Sequence, residues 1–63
     1  MIERKRVTYQ GQYKGNTYDI LCWEGDSLDF VWNQEKRCYL AGDQVTITNN
    51  HGRSKTFVKG VTP

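Results

Sequence analysis

Basic side chains are concentrated at the two ends of this sequence. Residues 1–18 carry four bases and one acid, residues 36–63 carry five bases and one acid, and residues 19–35 carry five acids and no base. If the first and last strands of the fold lie side by side, six cations would form one positive stripe suited to a phosphate backbone. The predicted stripe consists of Arg4, Lys5, Arg6, Arg53, Lys55 and Lys59.

Aromatic side chains are the second candidate for binding chemistry. The chain has eight large rings, at Tyr9, Tyr13, Tyr18, Trp23, Phe30, Trp32, Tyr39 and Phe57. A domain of this size encloses only about half of so large an aromatic set, so several rings are expected at the surface. An exposed Trp23 beside basic residues would stack on nucleobases without sequence preference, and it would equally dock an extended peptide.

The acidic segment between residues 19 and 35 supports an alternative partner. Leu21 and Trp23 would form an apolar patch, and Asp26 and Asp29 would supply negative charge beside it. A surface of that kind fits another protein, so the alternative function is a protein-interaction module or a small inhibitor or regulator of a larger protein.

Catalytic and metal chemistry find little support in the sequence. Asp26 and Asp29 lie at or beside an expected turn with no evident pocket, which argues against paired acid–base catalysis. His51 is the only histidine and has no nucleophile placed beside it. Cys22 and Cys38, sixteen residues apart, do not form a metal-binding motif. We therefore expect a non-enzymatic protein with no cofactor, no metal and no small-molecule substrate.

Compartment and size can also be read from the composition. No apolar run approaches a membrane span and no signal peptide is recognisable, so we expect no membrane partner and a cytoplasmic location. Cys22 and Cys38 are then expected to be free thiols, with Cys22 in the interior. The length predicts one domain over residues 1–63, of the kind that small bacterial or viral reading frames encode.

Short alternating runs separated by glycine predict an all-β meander without helix. The predicted strands are 6–13, 17–23, 28–33, 37–40, 44–49 and 54–61. Five or six short strands bury their apolar residues best when the sheet closes on itself, which favours an SH3-like barrel. An OB-like, partly open barrel is the alternative, although that fold has a helix between its third and fourth strands.

The turn at 24–27 leaves two registers open. A two-residue turn would place Leu21 and Trp23 on the same face as Leu28 and Phe30. A bulged turn would instead place Ile20 and Cys22 there and leave Leu21 and Trp23 outside. We favour the bulged turn, because it collects Val7, Tyr9, Ile20, Cys22, Leu28 and Phe30 in one interior.

Two segments resemble parts of the Sm-like RNA-binding proteins. Residues 55–61, Lys-Thr-Phe-Val-Lys-Gly-Val, resemble the closing strand of that family, and residues 28–33, Leu-Asp-Phe-Val-Trp-Asn, resemble its Asp-containing middle strand. The likeness covers about thirteen residues, and the N-terminal helix of those proteins has no counterpart here. The resemblance implies a small barrel that meets nucleic acid. The basic stripe and the exposed aromatic residues make nucleic acid, DNA or RNA, the leading predicted partner, and a larger protein is the alternative.

Overall fold

The computed structural model describes residues 4–60, in which antiparallel strands dominate as the sequence predicts. A single short α-helix separates two pairs of strands within that range, where the sequence predicts no helix and two further strands. The elements are β1 (Arg6–Tyr13), β2 (Asn16–Trp23), α1 (Leu28–Glu35), a 3₁₀ helix (Lys36–Cys38), β3 (Gln44–Thr48) and β4 (Ser54–Val58).

The strands form one open sheet in the order β2–β1–β3–β4. β1 and β2 make a long hairpin, from Arg6 opposite Trp23 to Tyr13 opposite Asn16. Lys14, with a φ of 50°, lies in the turn that joins them. β3 pairs with the other side of β1, and β4 pairs with β3. In the described part of the chain β2 and β4 are sheet edges, so neither the predicted SH3-like barrel nor the OB-like alternative forms.

One face of this sheet carries the core. Side chains alternate across a strand, so the odd positions of β1, β3 and β4 and the even positions of β2 share the face that α1 covers. The buried residues are Tyr9, Ile20, Cys22, Val31, Trp32, Val45, Ile47 and Phe57. The predicted interior placement of Tyr9, Ile20 and Cys22 is confirmed, and Val7 and Leu28 pack against the core half-buried. The predicted interior placement of Phe30 is wrong, because its side chain is 48% exposed on α1.

The segment predicted as the third strand, residues 28–33, is helical instead. The Ser27 Oγ accepts a hydrogen bond from the Phe30 N–H at 3.0 Å and caps the first turn of α1. Val31 and Trp32 are buried against the sheet. Aromatic and β-branched residues give the segment the composition of a strand, but six residues are too few to separate a period of 2 from one of 3.6. Within residues 4–60, no helix has the length and apolar character that crossing a bilayer requires.

Two further sequence predictions change with this helix. The predicted strand 37–40 is replaced by the end of the 3₁₀ helix and a bend leading to β3. The turn at 24–27 leads into α1, so neither predicted hairpin register exists there. Leu21 and Trp23 nevertheless lie outside, because β1 alone sets the register of β2. The Sm-like resemblance of residues 28–33 required a strand and is therefore wrong in that part.

A run of stacked aromatic rings fastens α1 to the sheet. The Trp32 ring lies 5.2 Å from Phe57 and 5.8 Å from Tyr39, measured between centroids, and both pairs are stacked. Tyr13 extends the run with a tilted contact to Tyr39 at 5.1 Å. The Tyr18 and Tyr39 hydroxyls are hydrogen-bonded to each other. Burial, followed by this hydrogen bond, raises the pKa of Tyr39 above its ordinary value, so the ring stays neutral.

Both cysteines are free, as predicted, and Cys22 is buried. Cys38 is exposed and lies in the 3₁₀ helix instead of on the predicted strand. Burial raises the pKa of the Cys22 thiol, which further suppresses its reactive thiolate form.

We expect a thiol reagent to modify Cys38 quickly in the native protein and Cys22 only when denaturant is added. Equal rates for the two thiols in the native protein would contradict the burial of Cys22.

Gly11 marks the closest approach between side chain and backbone inside the sheet. It lies directly opposite Tyr18, whose ring covers it. A Cβ added at Gly11 would clash with the Tyr18 Cζ, so the ring would have to move. Since Tyr18 is tied to Tyr39 through its hydroxyl, the displacement would reach the aromatic run.

We therefore expect Gly11→Ala to lower the free energy of unfolding by about 1–3 kcal/mol, the usual cost of overpacking. Gly60→Ala is the matched control, because a Cβ there meets open space and its φ is not positive. Urea unfolding followed by tryptophan fluorescence measures both variants. A Gly11→Ala protein as stable as the Gly60→Ala protein would show that Tyr18 does not constrain this position.

Candidate binding surface

The side of the sheet turned away from α1 is uncovered by any described element, and we call it the open face. Every side chain on it is exposed or half-buried. It consists of Arg6, Thr8, Gln10, Gln12, Thr17, Asp19, Leu21, Trp23, Gln44, Thr46, Thr48, Ser54, Thr56 and Val58. The pairing of all four strands places these residues on one surface, and hydroxyl and amide groups make up its centre.

The centre of the open face is a set of hydrogen-bonding side chains. Gln10 lies opposite Thr48 and Gln12 opposite Thr46 across the β1–β3 pair. The Thr46 and Thr56 hydroxyls are 2.9 Å apart and hydrogen-bonded. Amides and hydroxyls both donate and accept, so this surface can satisfy a ligand that presents donors and acceptors together. Sequence analysis missed these glutamines and threonines, although their alternation with Tyr9, Val45 and Ile47 was a usable signal.

One end of the open face combines a cation with a ring. Arg6 lies directly opposite Trp23, and its guanidinium carbon is 4.5 Å from the centroid of the indole. Trp23 is 39% exposed, and the neighbouring Leu21 on the same strand is 65% exposed. The prediction of a surface Trp23 is therefore confirmed, whereas the other tryptophan, Trp32, belongs to the core.

A groove lies at the opposite end, between the tip of the β1–β2 hairpin and the start of β3. Its volume is about 580 Å³. Gln12, Thr17 and Thr46 of the open face line it together with Lys14 and Asp43. The groove is continuous with the open face and places Lys14 at this end of it.

The six predicted basic residues do not form one stripe. β3 separates β1 from β4, so the side-by-side terminal strands assumed for the stripe are wrong. Arg6 points to the open face, whereas Lys55 and Lys59 share the helix side with Phe57. The Lys55 Nζ pairs with Asp29 on α1 at 2.9 Å, and the Lys59 Nζ donates to the Lys36 carbonyl at 2.8 Å.

Acidic and basic segments that are separate in the sequence lie next to each other in the fold. The end of the sheet where β1 begins combines five cations with three carboxylates: Arg4, Lys5, Arg6, Arg53 and Lys55 with Glu24, Asp26 and Asp29. The other end combines four cations with two carboxylates: Lys14, Lys36, Arg37 and Lys59 with Glu35 and Asp43. Each end is therefore only weakly positive.

The two carboxylates predicted for protein binding are separated by the fold. The Asp26 side chain is only 6% exposed and forms an ion pair with Arg4. Its other oxygen accepts a hydrogen bond from the Trp23 N–H at 3.0 Å, so Asp26 shapes the end of β2. Asp29 is exposed on α1, across the sheet from Leu21 and Trp23. Of the four residues predicted to bind another protein, only Leu21 and Trp23 share one exposed surface.

Glu24 connects the end of β2 to the loop before β4. Its two carboxylate oxygens contact the His51 Nε2 at 3.0 Å and the Asn50 Nδ2 at 2.8 Å. These hydrogen bonds, that to His51 first, lower the pKa of Glu24 below its ordinary value. The same loop is closed by the Asn49 side chain, which accepts from the His51 and Arg53 N–H groups at 2.9 Å. His51 therefore has a structural partner, and within residues 4–60 no metal-binding cluster forms.

Comparison of this chain with protein-family models, curated proteins and solved structures finds no match.

We expect His51→Ala to raise the pKa of the Glu24 carboxyl toward its ordinary value, because the first cause of its depression is removed. A depressed carboxyl pKa stabilises the fold above the ordinary value of 4.5 and loses that contribution as the pH falls through the folded value. Carboxyl chemical shifts in an NMR titration measure the change. Arg53→Ala serves as the loop control, and an unchanged Glu24 titration in His51→Ala would contradict the contact.

Proposed function

We propose that this chain is a non-enzymatic module that binds nucleic acid through the open face of its sheet. The observation that carries the proposal is the polar centre of that face, built from glutamine and threonine side chains of the three strands β1, β3 and β4. The centres of protein–protein interfaces are apolar, whereas interfaces with nucleic acid are more polar and positively charged. The chemistry of the centre therefore favours a nucleic acid over a protein.

The side chains of the open face match the groups that a nucleic acid offers. Gln10 and Gln12 have the paired donor and acceptor that read the edge of adenine. Arg6 supplies a charge for phosphate and holds Trp23 in a position from which it can stack on a base. Lys14 lies at the far end of the same hairpin, about 27 Å from Arg6 at roughly 3.4 Å per residue.

Because acidic residues lie beside the basic ones at both ends of the sheet, we expect electrostatics to contribute weakly to nucleic-acid binding. Arg6 on the open face and Lys14 at the hairpin tip are the two cations that we assign to phosphate, whereas Lys55 and Lys59 lie on the helix side and Arg4 is paired with Asp26. About two contacts give a slope of log K against log salt of roughly −1.4 to −1.8. Affinity should then fall about tenfold between roughly 50 and 200 mM salt.

Fluorescence anisotropy with a labelled DNA duplex, its separate strands and the corresponding RNA tests the proposal. We expect Arg6→Ala to weaken binding and to reduce the salt slope by about 0.7–0.9, and Gln10→Ala to weaken binding with the slope unchanged. Lys55→Ala is the matched control, because it removes one charge from the opposite face. Equal losses for Arg6→Ala and Lys55→Ala, or no binding at about 50 mM salt, would rule out the open face as a nucleic-acid surface.

Leu21 and Trp23 favour a second candidate function, the binding of another protein. They are adjacent, exposed and apolar, and they lie at an edge of the sheet rather than at its centre. In the anisotropy assay, Trp23→Ala separates the two functions. Loss of single-strand binding would support base stacking by Trp23, and unchanged binding would favour a role for Trp23 in contacting a protein.

A further inference from the structure

The outer edge of β2 carries backbone groups without a partner in the described structure. The Glu24 N–H donates to the Lys5 carbonyl at 2.7 Å, which fixes the alternation of hydrogen-bonded pairs along the β1–β2 ladder. Tyr18, Ile20 and Cys22 therefore bond to β1, and the backbone groups of the intervening residues point away from the sheet. These outward residues are Thr17, Asp19, Leu21 and Trp23.

Asp26 closes one end of this edge. Its Oδ2 accepts from the Trp23 N–H at 3.0 Å, and its own N–H donates to the Trp23 carbonyl at 3.1 Å. Both outward groups of Trp23 are thereby satisfied within the chain. The N–H and C=O groups of Thr17, Asp19 and Leu21 remain as a short template for another strand.

The β2 edge also lacks the features that usually keep a sheet edge unpaired. Lysine and proline commonly protect edge strands, and β2 contains neither. The opposite edge strand, β4, is shorter and contains Lys55. Asp19 is the single charged residue of β2, and Leu21 beside it is largely exposed.

We propose that β2 pairs antiparallel with β2 of a second copy of this chain, about a two-fold axis beside Ile20. In this register Asp19 of each copy lies opposite Leu21 of the other, and the outward N–H and C=O groups of both residues are paired. Moving the axis to Asp19 would place two carboxylates directly opposite each other, which is unfavourable. Moving it to Leu21 would place Asp19 against Trp23, whose backbone groups Asp26 already occupies, and only the two Leu21 residues could then pair. In the Ile20 register it is Thr17 that faces Trp23, so Asp19 and Leu21 both keep their pairing.

The self-complementary register identifies the second copy as the occupant, because each copy offers Asp19 and Leu21 to the same two residues of the other. In this register the Lys14–Gly15 turn of each copy extends past the end of β2 of the other copy, beside its Glu24. The Glu24 side chain is 40% exposed, whereas Asp26 in the same turn is already paired with Arg4, so one Lys14 faces one Glu24 at each end of the interface. Small domains also gain stability by association, and this pairing covers part of the Leu21 side chain.

The pairing is independent of the proposed function, because the open faces of both copies stay uncovered and form one wider surface. A strand-to-strand contact of this length buries little area, so we expect a weak dimer that forms as the protein concentration rises. Sedimentation equilibrium measures the association. Amide hydrogen exchange by NMR locates it, and we expect the Asp19 and Leu21 amides to become protected with concentration.

Leu21→Glu is the decisive variant, because it places a carboxylate opposite Asp19 of the other copy while altering a side chain that is 65% exposed. Val58→Glu is its matched control, since Val58 is 61% exposed on the same face at the other sheet edge. We expect Leu21→Glu to be monomeric and Val58→Glu to associate as the parent chain does. Lys14→Glu should weaken the dimer, because it places a carboxylate beside Glu24 of the other copy.

Three outcomes would overturn the proposal. The parent chain could remain monomeric at every concentration, the Thr56 and Val58 amides of β4 could be protected in place of Asp19 and Leu21, or Leu21→Glu could associate normally. Circular dichroism of each variant confirms that the sheet is intact.

Discussion

The packing of Trp32 between Phe57 and Tyr39 is the interaction on which the rest of this structure depends. It holds α1 against one face of a sheet that is only four strands wide, and it brings the 36–43 segment back over the β1–β2 hairpin through Tyr13 and Tyr39. A sheet with a single covering helix has one dry face and one wet face. The position of Trp32 therefore decides which side chains are core and which are left to meet a partner.

The helix side and the open face of the sheet therefore carry different kinds of side chain. The helix side absorbs most of the aromatic residues and also Lys55 and Lys59, whose charges are directed toward Asp29 and the Lys36 carbonyl. The open face retains hydroxyls, amides, Arg6 and Trp23. Acidic and basic residues that are far apart in the sequence form ion pairs at the surface of the fold. Surface ion pairs of this kind contribute little to stability or to long-range attraction.

Asp26 links the surface proposals to the fold. The same carboxylate neutralises Arg4 and caps the outward N–H of Trp23, and the Asp26 carbonyl accepts from the buried Tyr9 hydroxyl at 2.7 Å. It thus ends β2 at Trp23 and ties that end of the strand to the core. The length of free edge beyond it, and the position of Trp23 on the open face, both follow from this one turn residue.

The sequence alone determined the strands whose alternation is long and regular. The runs 6–13, 17–23 and 44–49 were predicted within about two residues of β1, β2 and β3, and Tyr9, Ile20 and Cys22 were placed inside correctly. These features are local, because two-residue periodicity and a turn at Lys14–Gly15 specify them without reference to the rest of the chain. Exposure of Trp23 and the free state of both cysteines were also accessible from the sequence.

The tertiary structure decided the nature of residues 28–33, the strand order and the grouping of charges. Leu28, Phe30 and Trp32 alternate like a strand, yet Val31 and Trp32 are buried as adjacent helical residues because the Ser27 cap and the aromatic stack select the helix. Strand order depends on contacts distant in sequence, and β3 rather than β4 took the place beside β1. That non-local choice, which no pattern within one strand encodes, divided the predicted basic stripe between two faces and left the edge of β2 open.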